Sequence, residues 1–484
     1  MKPLIAAGLV LAAALPALPA HAQTRPPTGA ELRDLRQQLE ALRADYEARL
    51  QALEARVRAA EARPVAAPSV LTPPASVAAT PPAAAPPAAP PAAPPAAPAT
   101  ALAGARPPAS ANAFNPALAL ILSGTYARTS RDPAGYAIRG FALPPGAEAG
   151  PGTRGFGLGE SELGLAASID PWWRGAASIA LHGDDTVSVE EAYVETTSLG
   201  SGLTLRAGRF LSNVGYLNPK HAHTWDFVDN PLAYQALLGT QYGDDGVQLR
   251  WLAPTERYLE LAAELGRGRS FPGSDRGRNG AGMWSLAAHT GGDIGASHNW
   301  RAGVSVLDAK ATRLGLADLD ATGRSVVDAF SGTSRVWIAD AVWKWAPEGN
   351  AQRTSFTLQG EVLRSRRLGS LVYDVGGAES EGAYRATQTG WYVQGVYQFM
   401  PRWRVGLRTE QLDPGRPDFG ANAGALAPVA WRPRKNSLMF DFSASEFSRV
   451  RLQLALDRAR EGASDSQLLL QYQMSLGAHG AHGY

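Results

Sequence analysis

The chain has 484 residues, of which 45% are hydrophobic and 19% are charged, a size that suits either two or three soluble domains or one large barrel with appendages. It contains no cysteine, which excludes thiolate zinc sites, disulfide frameworks and cysteine nucleophiles. The net charge of +2 argues against a nucleic-acid-binding protein. With 51 Gly and 12 Trp, the composition favours an aromatic-rich all-β protein over a helical one.

Residues 1–22 have the pattern of an export signal. Lys2 precedes an apolar run, and Ala20-His21-Ala22 forms a small-x-small cleavage site. A retained membrane anchor is the alternative, but an anchor needs about 20 apolar residues and two prolines interrupt this run. We therefore predict a cleaved signal peptide and an exported protein.

Residues 23–63 predict a coiled coil, because apolar side chains recur every three or four positions with one stutter at Tyr46. The apolar positions are Leu32, Leu35, Leu39, Leu42, Tyr46, Leu50, Leu53 and Val57. Self-association would bury this stripe, whereas a single helix lying on the main domain is the alternative. Residues 64–111 are almost entirely Pro and Ala and predict a semi-rigid polyproline II linker.

Residues 112–484 predict a transmembrane antiparallel β-barrel of about 16 strands. About sixteen runs of alternating apolar and polar residues are separated by alternately short and long connectors, as in outer-membrane barrels. Several tryptophans, including Trp172, Trp251 and Trp403, flank the short connectors, where an aromatic girdle would lie. A barrel of this size leaves an aqueous interior, so the architecture itself predicts transport.

The polar phase of the predicted strands supplies the candidate pore-lining residues. Cations fall on some strands and carboxylates on others, and opposed walls of opposite sign would orient water and favour small polar solutes. The alternative is that these are ordinary solvated side chains. The candidates are Arg206, Arg250, Arg404, Arg408, Arg451, Glu160, Glu162, Glu260 and Glu264.

The connector after the fifth predicted strand, residues 211–246, is long and rich in aromatic side chains, which predicts that it folds into the lumen and narrows it. Its candidate constriction residues are Trp225, Asp226, Phe227 and Asp229. His221 and His223 form a His-x-His pair that could bind a zinc ion transiently. Polar packing of the loop is the alternative, and no resident cofactor is expected.

Motifs of catalysis do not occur in the chain, which has no nucleophile elbow, no HExxH motif and no phosphate-binding loop. His182 beside Asp184 and Asp185 would still need a positioned serine to act as a hydrolase. We therefore predict that the protein is not an enzyme.

The order of signal peptide, coiled coil, Pro-rich spacer and barrel resembles the trimeric coiled-coil porins of the dicarboxylate-uptake type, and LRAGRFLSNVG resembles a motif of phosphate-selective porins. The segments FVDNPL, VWKWAPEGN, GWYVQGVYQFMPRWRVG and SLGAHGAH resemble proteobacterial proteins described as zinc-regulated TonB-dependent outer-membrane receptors. Such receptors carry a plug and a TonB box, whereas residues 23–111 here have coiled-coil and Pro-Ala patterns. The resemblance therefore implies an outer-membrane barrel without energised transport.

These observations predict a homotrimeric porin in the outer membrane of a Gram-negative cell, with its N-terminal stalk in the periplasm. It would contact outer-membrane lipid, admit small hydrophilic solutes by passive diffusion and bind no nucleic acid. Two alternatives remain open at this point. One is a zinc-linked, substrate-specific uptake channel or receptor, and the other is a structural tether that holds the outer membrane at a set distance from the peptidoglycan.

Overall fold

A computed structural model describes residues 117–477, which form a single antiparallel sheet closed into a barrel. The predicted signal peptide, coiled coil and Pro/Ala-rich linker lie outside the described residues, as do His479 and His482. Within residues 117–477, no helix is long and apolar enough to cross a membrane.

The sheet contains the following strands: β1 (Ala117–Thr129), β2 (Gly155–Leu158), β3 (Ser161–Ser168), β4 (Trp173–Leu181), β5 (Val187–Thr196), β6 (Leu203–Leu211), β7 (Gly243–Leu252), β8 (Tyr258–Gly266), β9 (Met283–Ile294), β10 (His298–Leu319), β11 (Ser325–Trp345), β12 (Ser355–Tyr373), β13 (Ser380–Met400), β14 (Trp403–Asp413), β15 (Arg434–Ser445), β16 (Ser448–Asp457) and β17 (Asp465–Gly477). One α-helix, α1 (Leu232–Leu238), lies between β6 and β7. Short 3-10 turns cover Pro133–Gly135, Ala222–Thr224, Pro347–Gly349 and Gly420–Gly424.

The barrel closes where β1 pairs with β17 over Ala119 to Thr129 and, on its other edge, with β2 and β3. Because β2 and β3 follow each other along the same edge of β1, they are two segments of one interrupted strand. Counted in this way, the barrel has sixteen strands. All neighbouring strands are antiparallel, so closure leaves no free sheet edge. The prediction of an all-β antiparallel barrel of about 16 strands is confirmed.

The outer face of the wall is apolar and the inner face is polar, as period-two alternation requires. Leu286, Val304, Val362, Leu407 and Leu454 point outward and are between 40% and 64% exposed. Trp172, Trp251 and Trp403 lie beside the short connectors at one edge of the barrel and are also exposed. An apolar outer band with aromatic residues at its margin is the surface that a lipid bilayer accommodates.

Strands β10 to β13 are 19 to 22 residues long, although the sequence pattern predicted runs of about ten. A tilted strand crosses a bilayer in about 9–11 residues, so these four strands extend well beyond the membrane. The outward row of β12 changes from Leu358 and Val362 to Arg364 and Arg366 along this extension. The predicted strands were too short because paired strands outside the membrane need no apolar outer face, so the alternation of apolar and polar residues does not mark them.

Candidate functional site: the interior segment

Residues 212–242 connect β6 to β7 and lie inside the barrel. With β2 and β3 counted as one strand, β6 and β7 are the fifth and sixth strands of the barrel. The predicted connector of residues 211–246 was too long at its end, because Gly243 to Gly246 pair with Leu211 to Gly208 and belong to β7. The segment contacts inward-facing side chains of β3 and β5 on one side, and of β12 to β16 across the interior. It is therefore held by opposite parts of the wall.

The beginning of the segment is held by Glu361 of β12, whose buried carboxylate accepts four hydrogen bonds. The backbone N–H groups of Tyr216 and Leu217 donate at 3.0 and 3.1 Å, and the hydroxyl groups of Tyr234 and Tyr392 donate at 2.8 and 2.6 Å. Gly215 allows this approach, because a Cβ atom there would lie 2.5 Å from Glu361 Oε2 at a φ of +67°. The four donors offset the cost of burying a carboxylate.

The middle of the segment is held by Asp229, which faces two cations of the opposite wall. Its carboxylate lies 2.6 Å from Arg408 Nη2, contacts Lys435 Nζ and accepts a hydrogen bond from Gln453 Nε2 at 2.9 Å. Burial would raise the pKa of Asp229, but Lys435 and Arg408 outweigh it and hold the pKa below its usual value. Asp229 is therefore a buried, charged anchor of the segment.

Helix α1 packs the end of the segment against the wall through apolar contacts. Every residue of the helix is buried, and Leu232, Tyr234 and Leu237 belong to a cluster that includes Leu307 of β10, Ile338 of β11 and Leu363 of β12. Inward apolar residues are unexpected in a purely aqueous lumen. They occur here because the helix covers them, so part of the barrel interior is a packed core.

The predicted constriction residues lie within this segment and pack against the wall. Trp225 belongs to the cluster around α1, whereas Phe227 packs against Val396 and Met439 and lies beneath the Arg408 guanidinium at 4.6 Å. Asp226 Oδ1 accepts a hydrogen bond from Arg404 Nη1 at 2.9 Å.

The predicted pore-lining arginines all lie close to carboxylates. Arg206 and Arg250 both pair with Glu195 of β5, at 2.6 and 2.8 Å. Arg404 and Arg451 share Asp441, at 3.0 and 3.3 Å. Because these partners lie on a neighbouring strand or, for Arg250, two strands away, much of the charge of the inner face is balanced locally.

The predicted pore-lining glutamates have different surroundings. Glu260 accepts a hydrogen bond from Asn213 Nδ2 at 2.9 Å, and Glu264 from Gln248 Nε2 at 2.7 Å. Glu160 is half-buried in the two-residue interruption between β2 and β3. Glu162, which is buried, contacts both predicted metal-binding histidines.

His221 and His223 are buried against the acidic side of the wall. His223 Nδ1 lies 2.8 Å from Glu162 Oε2, and His221 lies between Glu190 and Glu191 of β5, at 3.2 and 3.0 Å. Burial would lower the pKa of His221, but the nearby carboxylates, led by Glu162, raise it well above its usual value. The sequence pattern identified both histidines but not Glu190 and Glu191 as their partners.

Comparison with protein-family models gives no match. An uncharacterized protein of Aquifex aeolicus (strain VF5) is 28% identical over 357 residues, which cover 68% of this chain and 70% of that protein.

Among solved structures, in vitro folded OmpT, an outer membrane protein of Vibrio cholerae, has a TM-score of 0.46 at 10% identity, covering 76% of this chain and 99% of its own. An anion-selective porin from Comamonas acidovorans has a TM-score of 0.46 at 12% identity, covering 75% and 99%. The outer membrane channel DcaP of Acinetobacter baumannii has a TM-score of 0.43 at 13% identity, covering 74% and 96%. Because these TM-scores are low, the assignment of the fold rests on the closed strand pairing of this chain.

Proposed function

We propose that the protein is an outer-membrane channel for passive diffusion of small hydrophilic solutes, in which residues 212–242 form the narrowest point. The observation that carries the proposal is the attachment of this segment to opposite sides of a closed, internally polar barrel, through Glu361, Asp229 and His221. Such a segment divides the interior and limits the size of a passing solute. Charged groups along the remaining inner face favour polar over apolar solutes.

Planar-bilayer recording with introduced cysteines tests this function, because the natural chain has no cysteine and cannot itself react with thiol reagents. Lys220→Cys places a thiol on the half-buried part of the segment, and Arg416→Cys places one in the exposed connector between β14 and β15. We expect a bulky methanethiosulfonate reagent to reduce the single-channel conductance of the Lys220→Cys variant and to leave that of the Arg416→Cys variant unchanged. Equal effects on both variants would refute the constriction.

A second candidate is a substrate-specific channel that is closed until the interior segment moves. The observation that favours it is the complete burial of α1 against Leu307, Ile338 and Leu363. Deleting residues 220–235 distinguishes the candidates. A constricted open channel should conduct in the natural protein and more strongly after the deletion, whereas a gated channel should conduct only after it. Heat-modifiable migration on gels verifies that the deletion variant folds, and a folded variant that conducts no more than the natural protein contradicts both candidates.

We further propose a homotrimer, supported by the apolar repeat of residues 31–63 and by a shallow outer concavity of about 420 Å³ on the barrel. Ala167, Gly175 and Ala177 are among its lining residues, and such small side chains would let another barrel wall approach closely. Analytical ultracentrifugation of the isolated 23–63 peptide tests the stalk. Replacing Leu35, Leu39 and Leu42 by Asp should abolish its association, and a monomeric natural peptide at high concentration would contradict the proposal.

A further inference from the structure

The histidine pair lies beside an irregularity of the barrel wall. Along β4 and β5, Ser178 pairs with Glu191 but the next residue, Ile179, pairs with Val189, so Glu190 is an extra residue in a β-bulge. Regular alternation would point Glu190 and Glu191 to opposite faces, but the bulge lets both carboxylates reach His221. Bulges re-aim side chains in this way beside functional sites.

We propose that His221, Glu162 and Glu190 bind one divalent transition-metal ion. Nδ1 of His221 lies 3.2 Å from Glu190 Oε2 and 3.5 Å from Glu162 Oε2. Ligand bonds of about 2.1 Å in tetrahedral geometry separate two ligand atoms by about 3.4 Å, so these distances are those of neighbouring ligands around one ion. The three ligand atoms all lie within 4.8 Å of one another.

The groups around these three residues are arranged as the outer shell of a metal site. With Nδ1 of His221 on the ion, its Nε2–H donates to Glu191 Oε2 at 3.0 Å, the carboxylate–histidine–metal arrangement that fixes a ligand's tautomer and orientation. The Ser178 hydroxyl lies 2.7 Å from Glu162 Oε1 and 3.2 Å from Glu190 Oε2 and can orient either carboxylate. The hydroxyl has one proton and donates to one carboxylate at a time, and Glu162 Oε2 also lies 2.8 Å from His223 Nδ1.

Charge at this position also favours a cation. Glu162, Glu190 and Glu191 bring three carboxylates together, and Arg206, which lies 3.9 Å from Glu191, pairs more closely with Glu195 at 2.6 Å. A divalent ion that replaces a proton of His221 would compensate two of the three negative charges. A mixed imidazole and carboxylate donor set suits zinc and its first-row neighbours, whereas calcium and magnesium prefer oxygen ligands alone.

The ion would join the interior segment to the acidic side of the wall. His221 belongs to the segment, whereas Glu162 belongs to β3 and Glu190 to β5. Asp229, eight residues further along, is held by Arg408 and Lys435 on the basic side. The metal would thus fix one side of the segment as the ion pair fixes the other.

Isothermal titration calorimetry with zinc tests this site. The purified protein is titrated in detergent and is prepared without a histidine tag. His479→Ala and His482→Ala are introduced into every protein, so that the C-terminal histidines do not contribute. We expect one zinc ion per chain, and at least ten-fold weaker binding after Glu190→Gln or His221→Gln. The matched control is His298→Ala, which removes a histidine stacked on Trp343 and should bind zinc as the parent does.

Heat-modifiable migration verifies folding of each variant, and Glu190→Gln carries the test if His221→Gln does not fold, because Glu190 is only half-buried. Absence of stoichiometric zinc binding by the parent, or unchanged affinity of folded Glu190→Gln, would overturn the site. Calcium binding as tight as zinc binding would overturn the assignment to a transition metal. Because the titration measures metal binding and not conductance, its result is independent of the channel experiment.

Discussion

Replacing Asp229 by Ala should strongly destabilise the barrel, because this side chain is the counter-ion of two buried cations. Its carboxylate is 11% exposed, and the side chains of Arg408 and Lys435 are each 1% exposed. Removing one partner of a buried ion pair costs about 3–5 kcal/mol, since it leaves an uncompensated charge. Arg408 keeps Glu410 at 3.1 Å and Lys435 keeps Asp457 at 3.9 Å, so we expect the lower end, about 3 kcal/mol.

Reversible unfolding by guanidinium chloride in phospholipid vesicles, followed by tryptophan fluorescence, measures this loss. Asp226→Ala is the matched control, because it removes a carboxylate from the same segment, but one that is 23% exposed and whose partner Arg404 keeps Asp441 at 3.0 Å. We expect the control to cost about 1 kcal/mol or less. Equal losses for the two variants, or a loss below about 1 kcal/mol for Asp229→Ala, would refute the assignment of Asp229 as the anchor.

The same ion pairs predict how stability depends on acid. Because Lys435 and Arg408 lower the pKa of Asp229 in the folded barrel, its contribution is fully present above the unfolded-state pKa of about 3.9. It is lost as the pH falls below that value towards the lower folded-state pKa. The difference in unfolding free energy between the natural protein and Asp229→Asn should therefore be constant from about pH 5 to 7 and shrink below about pH 4. A difference that shrinks between about pH 7 and 5 would contradict this linkage.

Three further predictions concern the interior segment, the wall and the stalk. Gly215→Ala should cost about 2 kcal/mol in the same unfolding assay, because its φ of +67° strains any other residue and its Cβ would meet the Glu361 carboxylate. Gly124→Ala, where nothing lies within 4 Å of the new Cβ, should cost far less. Leu454→Arg should cost about 2–4 kcal/mol if this outward position faces the bilayer core, and a neutral effect would place it outside the membrane. Deleting residues 23–111 should leave heat-modifiable migration intact, because the described strand pairing closes within residues 117–477.

Local sequence patterns were sufficient to predict the strands of the barrel. In β17, Leu468, Leu470 and Tyr472 alternate with Gln467 and Gln471, and this alternation assigns one face to lipid and one to the interior before any pairing is known. The connectors between β10 and β11 and between β12 and β13 were expected to be long but cover only residues 320–324 and 374–379. The alternation pattern did not reveal the strand residues on either side of them. It failed for the lengths of β10 to β13, because strands outside the membrane need no apolar outer row. Their extensions pair with one another and share an apolar cluster that includes Leu316, Phe330 and Leu371.

The contacts of the candidate site depend on residues that are far apart in sequence. The aromatic composition of residues 211–246 predicted an inward segment, and His221 and His223 were identified by their spacing. Glu162 was predicted as an inward side chain, but Glu190 and Glu191 were not predicted as partners of His221, because the bulge that lets both reach it is a register shift between β4 and β5. Likewise, only closure of the barrel brings Asp229 to Arg408 and Lys435, 179 and 206 residues away. The alternation of apolar and polar residues can be recognised within one strand. The compensation of buried charges depends on side chains that different strands bring together inside the barrel.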